Sequence, residues 1–150
     1  MDKKTRYILH WIGQLSKVRP ELGNFAICPY ASNANFKILD EKLCKITPKP
    51  DFDVVIYVVE NNIDAEFLYN AVDDYNRNYS DYKFIADHGK TKTYIQNVQT
   101  SNGKYNLVLC QPRKELTVAR KKLAKTDYYD YWDESYLKEV LEDDFSEVIE

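Results

Sequence analysis

Glycine is scarce in this chain. It occurs 4 times in 150 residues, against the roughly 7% of an average protein. No Walker A sequence and no G-x-G-x-x-G is present, so a glycine-rich loop cradling a nucleotide phosphate is excluded. Histidine is scarcer, with only His10 and His88, and the three cysteines, Cys28, Cys44 and Cys110, form no Cys-x-x-Cys. Four of these five residues would have to converge to hold a zinc ion, so no metal site is expected. H-E-x-x-H, G-x-S-x-G and EF-hand patterns are missing too, which leaves no familiar catalytic signature and no expected cofactor. An odd cysteine count without a secretion signal argues against a disulfide framework. No apolar run approaches the roughly 18–20 residues that span a bilayer. At the N-terminus, apolar residues are spaced by three and four rather than continuous, so a signal-peptide core is absent and a cytoplasmic protein is expected. There is no excess of positive charge: 21 basic and 24 acidic residues give a net −3. A dedicated duplex-DNA binder is therefore not expected, because phosphate neutralisation supplies most of such a protein's affinity.

What is present suits one domain spanning 1–150. The chain is 44% hydrophobic and 30% charged, enough to bury a core without staples. Residues 3–18 carry Ile8, Trp11, Ile12, Leu15 and Val18 on one helical face. Residues 20–35 follow neither period but have an apolar centre, Phe25-Ala26-Ile27-Cys28, which predicts a loop pinned to the core. A strand is predicted over 36–46, with an irregularity at Asp40-Glu41, and a second over 53–59, whose unbroken Val/Ile/Tyr run marks it as central. Asn62 or Asp64 caps a helix over 64–77. Strands follow at 82–86, 92–98 and 104–110, the last two joined by an Asn102-Gly103 hairpin signal. A basic helix over 113–125, a short helix over 133–142 and a frayed acidic end, 143–150, complete the chain. The fold class is α+β: a single mixed or mainly antiparallel sheet of about five strands with helices packed on it. If the strands of the β-α-β unit at 53–86 run parallel in one sheet, their crossover is right-handed.

Three constellations carry chemistry. In the first, Cys28 sits in a loop where a base or a helix N-terminus could make it a nucleophile, with His10 or His88 as the base; otherwise it is a small buried hydrophobe. In the second, Asp87-His88-Gly89-Lys90 follows a strand, where Asp could orient His and Lys could hold an anion; otherwise it is a hydrophilic turn. The third combines Arg113, Lys114, Arg120 and Lys121 with the aromatic run Tyr128, Tyr129, Tyr131 and Trp132. Basic side chains beside exposed rings bind single-stranded nucleic acid, although Asp127, Asp130 and Asp133 would repel phosphates. Tyr, Trp and Arg also dominate protein–protein hot spots. The preferred expectation is a protein partner bound through this basic helix and an outward-facing aromatic turn; otherwise the turn packs back on the sheet and the basic face is simply solvated. The alternative is an enzyme or small-ligand binder using Cys28, with Arg113 and Arg120 holding an anion. The Asp73-Asp74 and Glu142-Asp143-Asp144 pairs read as solvated faces, because neighbours on a helix point apart.

The segment Gly23-Asn24-Phe25-Ala26-Ile27-Cys28-Pro29-Tyr30-Ala31, after a helix, resembles small bacterial proteins of unknown function that carry a helix and a Leu-Cys-Pro-Phe-Ala motif. Leu107 to Glu115, followed by Val118-Ala119-Arg120, is similar to their arginine-bearing strand-to-helix junction. Tyr30 stands where that family has Phe. The Tyr-, Lys- and Asn-rich style, typical of AT-rich codons, also resembles hypothetical proteins of marine bacteriophages. Neither resemblance implies an established activity; both draw attention to Cys28, Arg113 and Arg120.

Overall fold

A computed structural model describes residues 1–31 and 34–149. Its frame is a mixed four-stranded sheet built from β1 (Phe36–Asp40), β2 (Val54–Val58), β3 (Tyr82–Asp87) and β6 (Leu107–Pro112), in the order β1-β2-β6-β3. β1 runs parallel to β2, and β6 runs antiparallel to both β2 and β3. The strands of the 53–86 unit thus point the same way but flank β6 rather than each other. All five residues of β2 are buried, as its continuous apolar run requires of a strand covered on both faces. Alternation along it divides the core. Val55, Tyr57 and Val59 join Phe84, Val108 and Cys110 beneath Leu68 and Val72 of α2 (Ala65–Asn78). On the opposite face, Val54, Ile56, Val58 and Leu107 meet Ile8 and Ile12 of α1 (Lys3–Leu15). Both helices start where an aspartate can accept a free backbone N–H: Asp2 from Thr5 at 2.6 Å and Asp64 from Phe67 at 2.8 Å.

The helices after β6 also pack on the α1 side. They are α3 (Arg113–Ala124), α4 (Glu134–Leu141) and α5 (Phe145–Ile149). A 3₁₀ turn at Tyr128–Tyr131 joins α3 to α4. No helix among the described residues is long and apolar enough to cross a membrane.

Two sequence expectations change. The 36–46 strand stops at Asp40, because Leu43–Lys45 turns as a 3₁₀ helix whose Leu43 N–H donates to the Glu60 carboxylate at 2.8 Å. Asn102-Gly103 does not close a hairpin between the fourth and fifth strands. Instead β4 (Tyr94–Ile95) and β5 (Val98–Gln99) form their own two-stranded ribbon, turned at Gln96 with φ 54°. Asn102 is buried, its Oδ1 accepting from Lys104 and Tyr105 and its Nδ2 donating to Asp87.

Candidate functional site

The aromatic run turns inward. Tyr128 is 5% exposed, and its hydroxyl donates to the Ile27 carbonyl. Its ring meets Phe25 at 5.5 Å, Tyr129 at 4.9 Å and Trp132 at 5.7 Å, and Trp132 stacks on Tyr136 at 5.3 Å. Tyr131 lies over Gly23, where an added Cβ would come within 2.5 Å of its ring. The expectation of an outward aromatic surface is therefore overturned. The 3₁₀ turn folds Tyr128, Tyr129 and Trp132 back between the Phe25–Ile27 loop and α4. That loop is pinned to the core as its apolar centre predicts, and the Tyr128 ring helps to pin it. Tyr128 and Tyr129 meet Trp132 edge-on or tilted, and only Trp132 and Tyr136 stack face to face, so the rings are engaged largely with one another. Burial also pushes the Tyr128 and Tyr129 phenols upward, the latter to about 12.

The basic helix meets the chain's own acidic end. Arg113 Nη1 donates to both carboxylate oxygens of Asp144, at 2.9 and 3.0 Å. Lys121 pairs with Glu147 at 3.2 Å. Lys83 of β3, only 2% exposed, pairs with Glu142 at 2.8 Å. The end expected to fray thus forms α5 and packs on α3, because three cations wait there for carboxylates. Arg120 is buried at 8% exposure, and its Nη1 has no hydrogen-bond partner among the described residues. Burial works against its charge, while Tyr129 and Asp144 lie close enough to favour it. Lys114, Lys122 and Lys125 remain exposed, with no ion pair among the described residues.

Cys28 lines a cleft of about 420 Å³ between α1 and α3. The floor is sheet: Phe36, Val54, Ile56 and Leu109. Trp11 and Leu15 form one wall, and Leu116 and Ala119 the other. The cleft has the size and apolar character of a binding site. Its charged members are Asp53 and Glu115; neither Arg113 nor Arg120 lines it. Of the two arginines expected to hold an anion, Arg113 is bonded to Asp144, whereas Arg120 lies near the thiol but is buried and does not line the cleft. The thiol reaches solvent, yet the concave wall around it desolvates the thiolate and raises its pKa above the ordinary 9.0, despite N–H groups of Tyr30 and Ala31 and the nearby Arg120.

His88 is no partner for this thiol. It is 5% exposed, its Nε2 bonds to the Ile63 carbonyl at 2.8 Å and its Nδ1 accepts from Lys90 N–H at 3.1 Å. Both ring nitrogens are occupied, and His88 does not line the cleft; His10 is exposed. The expected Cys28–His88 pair is therefore corrected to two separate residues. Asp87 orients Asn102 rather than His88, accepting from its backbone N–H at 2.9 Å and its side chain at 2.7 Å. Burial raises the Asp87 carboxyl to about 6 against those bonds. Among the described residues, no group of three or more His, Cys, Asp or Glu side chains is placed to hold a metal ion.

Sequence reasoning missed the depressions that flank α3. One of about 590 Å³ lies on the α5 side, against Ser80–Tyr82, Arg113 and Lys121. A second of about 340 Å³, formed by Tyr30, Lys114, Val118, Ala119 and Lys122, opens toward the cleft. Tyr30 is 42% and Val118 47% exposed, side by side. The available signal was Val118, an apolar residue on the charged face of the helix. Comparison with family models, curated proteins and solved structures returns no significant match to this chain, so the reading of this site rests on its geometry.

Proposed function

We propose that this protein is a non-catalytic binding module that grips a protein partner along α3. One observation carries the reading: three depressions run side by side around the helix. The first two share Lys114, Glu115 and Val118; the second and the cleft share Tyr30, Glu115 and Ala119. A helix standing as a ridge between grooves offers an extended contact, with apolar side chains at the centre and lysines at the rim, as protein interfaces require. The aromatic turn acts as the scaffold that holds the Phe25–Tyr30 loop against this ridge, and does not itself touch the partner. Three free cysteines suit the reducing cytoplasm.

The test is retention of a partner from native lysate, identified by mass spectrometry, by the wild-type chain and by a Tyr30→Asp, Lys122→Glu chain. Both residues are exposed, so the thermal melt should not move. The partner should be lost from the double variant. An unchanged set of retained proteins would sink the proposal. The apolar cleft favours a second reading, a small apolar ligand, which native mass spectrometry of the purified protein would reveal as bound mass.

A further inference from the structure

The α5 side of α3 is already occupied by a ligand of known chemistry, the chain's own residues 142–149. We infer that this groove takes an acidic, amphipathic segment of the protein partner, which displaces the chain's own acidic end. The inference rests on the reading of α3 as the partner-binding helix, and names what that partner presents.

The groove is built for carboxylates. Lys83, Arg113 and Lys121 come from β3 and both ends of α3, and each meets one acid of a single short segment: Glu142, Asp144 and Glu147. The match leaves a surplus. Arg120 lies near Asp144, more than nine-tenths buried, with Nη1 unpartnered among the described residues. A segment bringing one more carboxylate would give that donor the partner it lacks among the described residues.

The resident segment is short, and its apolar hold is confined to Val148 and Phe145. α5 has five residues, of which only Val148 is buried. It is joined to α4 through Glu142, whose φ of 49° lies in a region that favours glycine. That conformation brings the Glu142 carboxylate to the buried Lys83 ammonium. Beneath the segment lies an apolar floor, Leu137 and Leu141 with Ala124, Tyr129 and Trp132 around them, onto which the segment sets its own Val148 and Phe145. Lifting the segment would therefore uncover cations and rings together. An occupant must cover both, which favours a turn leading into a short helix, with carboxylates spaced like 142, 144 and 147 and apolar residues like 145 and 148. It disfavours inorganic phosphate, which would leave the rings bare.

The probe is a fluorescein-labelled peptide of residues 141–149, titrated into the full-length wild-type chain and the full-length Asp144→Lys, Glu147→Lys chain. The variant repels its own end, so it should bind the peptide at least tenfold more tightly, with an affinity that falls as salt rises. Peptide binding to neither chain, with the variant's melt intact, overturns the inference. If the variant fails to fold, hydrogen exchange on the wild-type chain decides. Amides of 142–149 should lose protection with added salt or excess peptide while β2 and β6 keep theirs; protection equal to β6 throughout overturns the inference. Concentration-dependent dimerisation through exchanged ends would also overturn it, by assigning the groove to a second copy. A chain that binds the peptide but retains no protein through Tyr30 and Lys122 would sink the function proposed above and leave this groove standing.

Discussion

Replacing Trp132 by alanine separates a structural aromatic turn from a docking one. The Trp132 ring lies 5.7 Å from Tyr128, 5.3 Å from Tyr129 and 5.3 Å from Tyr136. It contributes to two apolar clusters, one with Leu22, Ile27 and Ile95 and the other with Leu137, Leu141 and Val148. Truncating a core tryptophan costs about 3–5 kcal/mol. Trp132 is half-buried, so the lower end applies, about 3 kcal/mol. For a chain of this size that is a drop in melting temperature of roughly 6–12 °C. Trp132→Phe keeps an aromatic ring and should lose about 1 kcal/mol. Urea unfolding followed by far-UV circular dichroism measures both. A Trp132→Ala chain within about 0.5 kcal/mol of wild type would refute the reasoning, because a cost that small belongs to an open surface position.

Two further outcomes follow from the titrating groups. Asp87 rises from 3.8 to about 6 on folding, so the folded state holds its proton longer than the unfolded chain does. Its stabilising contribution is complete below pH 4 and is lost as pH rises through 6, a change of up to about 3 kcal/mol. Asp87→Asn keeps an acceptor for Asn102 and removes that loss, so its stability relative to wild type should climb between pH 4 and pH 7 in urea melts; a flat difference would refute the assignment. Cys28 should alkylate slowly at pH 7.5 and speed up only above pH 9, whereas Cys110, buried and pushed to about 12, should react only on unfolding. Rapid modification of Cys28 at neutral pH, located by peptide mapping, would revive the nucleophile that the cleft's desolvation argues against.

The parts of the fold legible in the sequence are those that depend on local spacing. The stripe of Ile8 and Ile12, the Asp64 cap and the unbroken β2 run each act within a few residues, and each reappears in the structure. Decisions made at a distance were not legible. Asn102-Gly103 has the chemistry of a hairpin turn, but the Asp87 carboxylate, 15 residues away, claims the asparagine for a buried network. The Tyr128–Trp132 run has the same composition whether it faces water or Phe25, and the choice is made by a loop about a hundred residues earlier. The acidic end carried a readable signal that local reasoning passed over: its charge is opposite to that of the helix some thirty residues before it, at Arg113–Asp144. Of the candidate site, Cys28 and the lysines of α3 were legible as residues, whereas the cleft and grooves needed the packing of α1, α3 and the sheet.

The strand order β1-β2-β6-β3 has a consequence for synthesis. The strand between β2 and β3 is the last of the sheet strands to leave the ribosome. Until Leu107–Pro112 emerge, β2 lacks a neighbour on one side, and β3 has no strand to zip onto. A nascent chain therefore carries an apolar ribbon with an open edge over about a third of its translation, from the completion of β2 to the emergence of β6. The sheet closes late, in one step that joins segments about fifty residues apart, which makes folding slow relative to helical proteins of similar length.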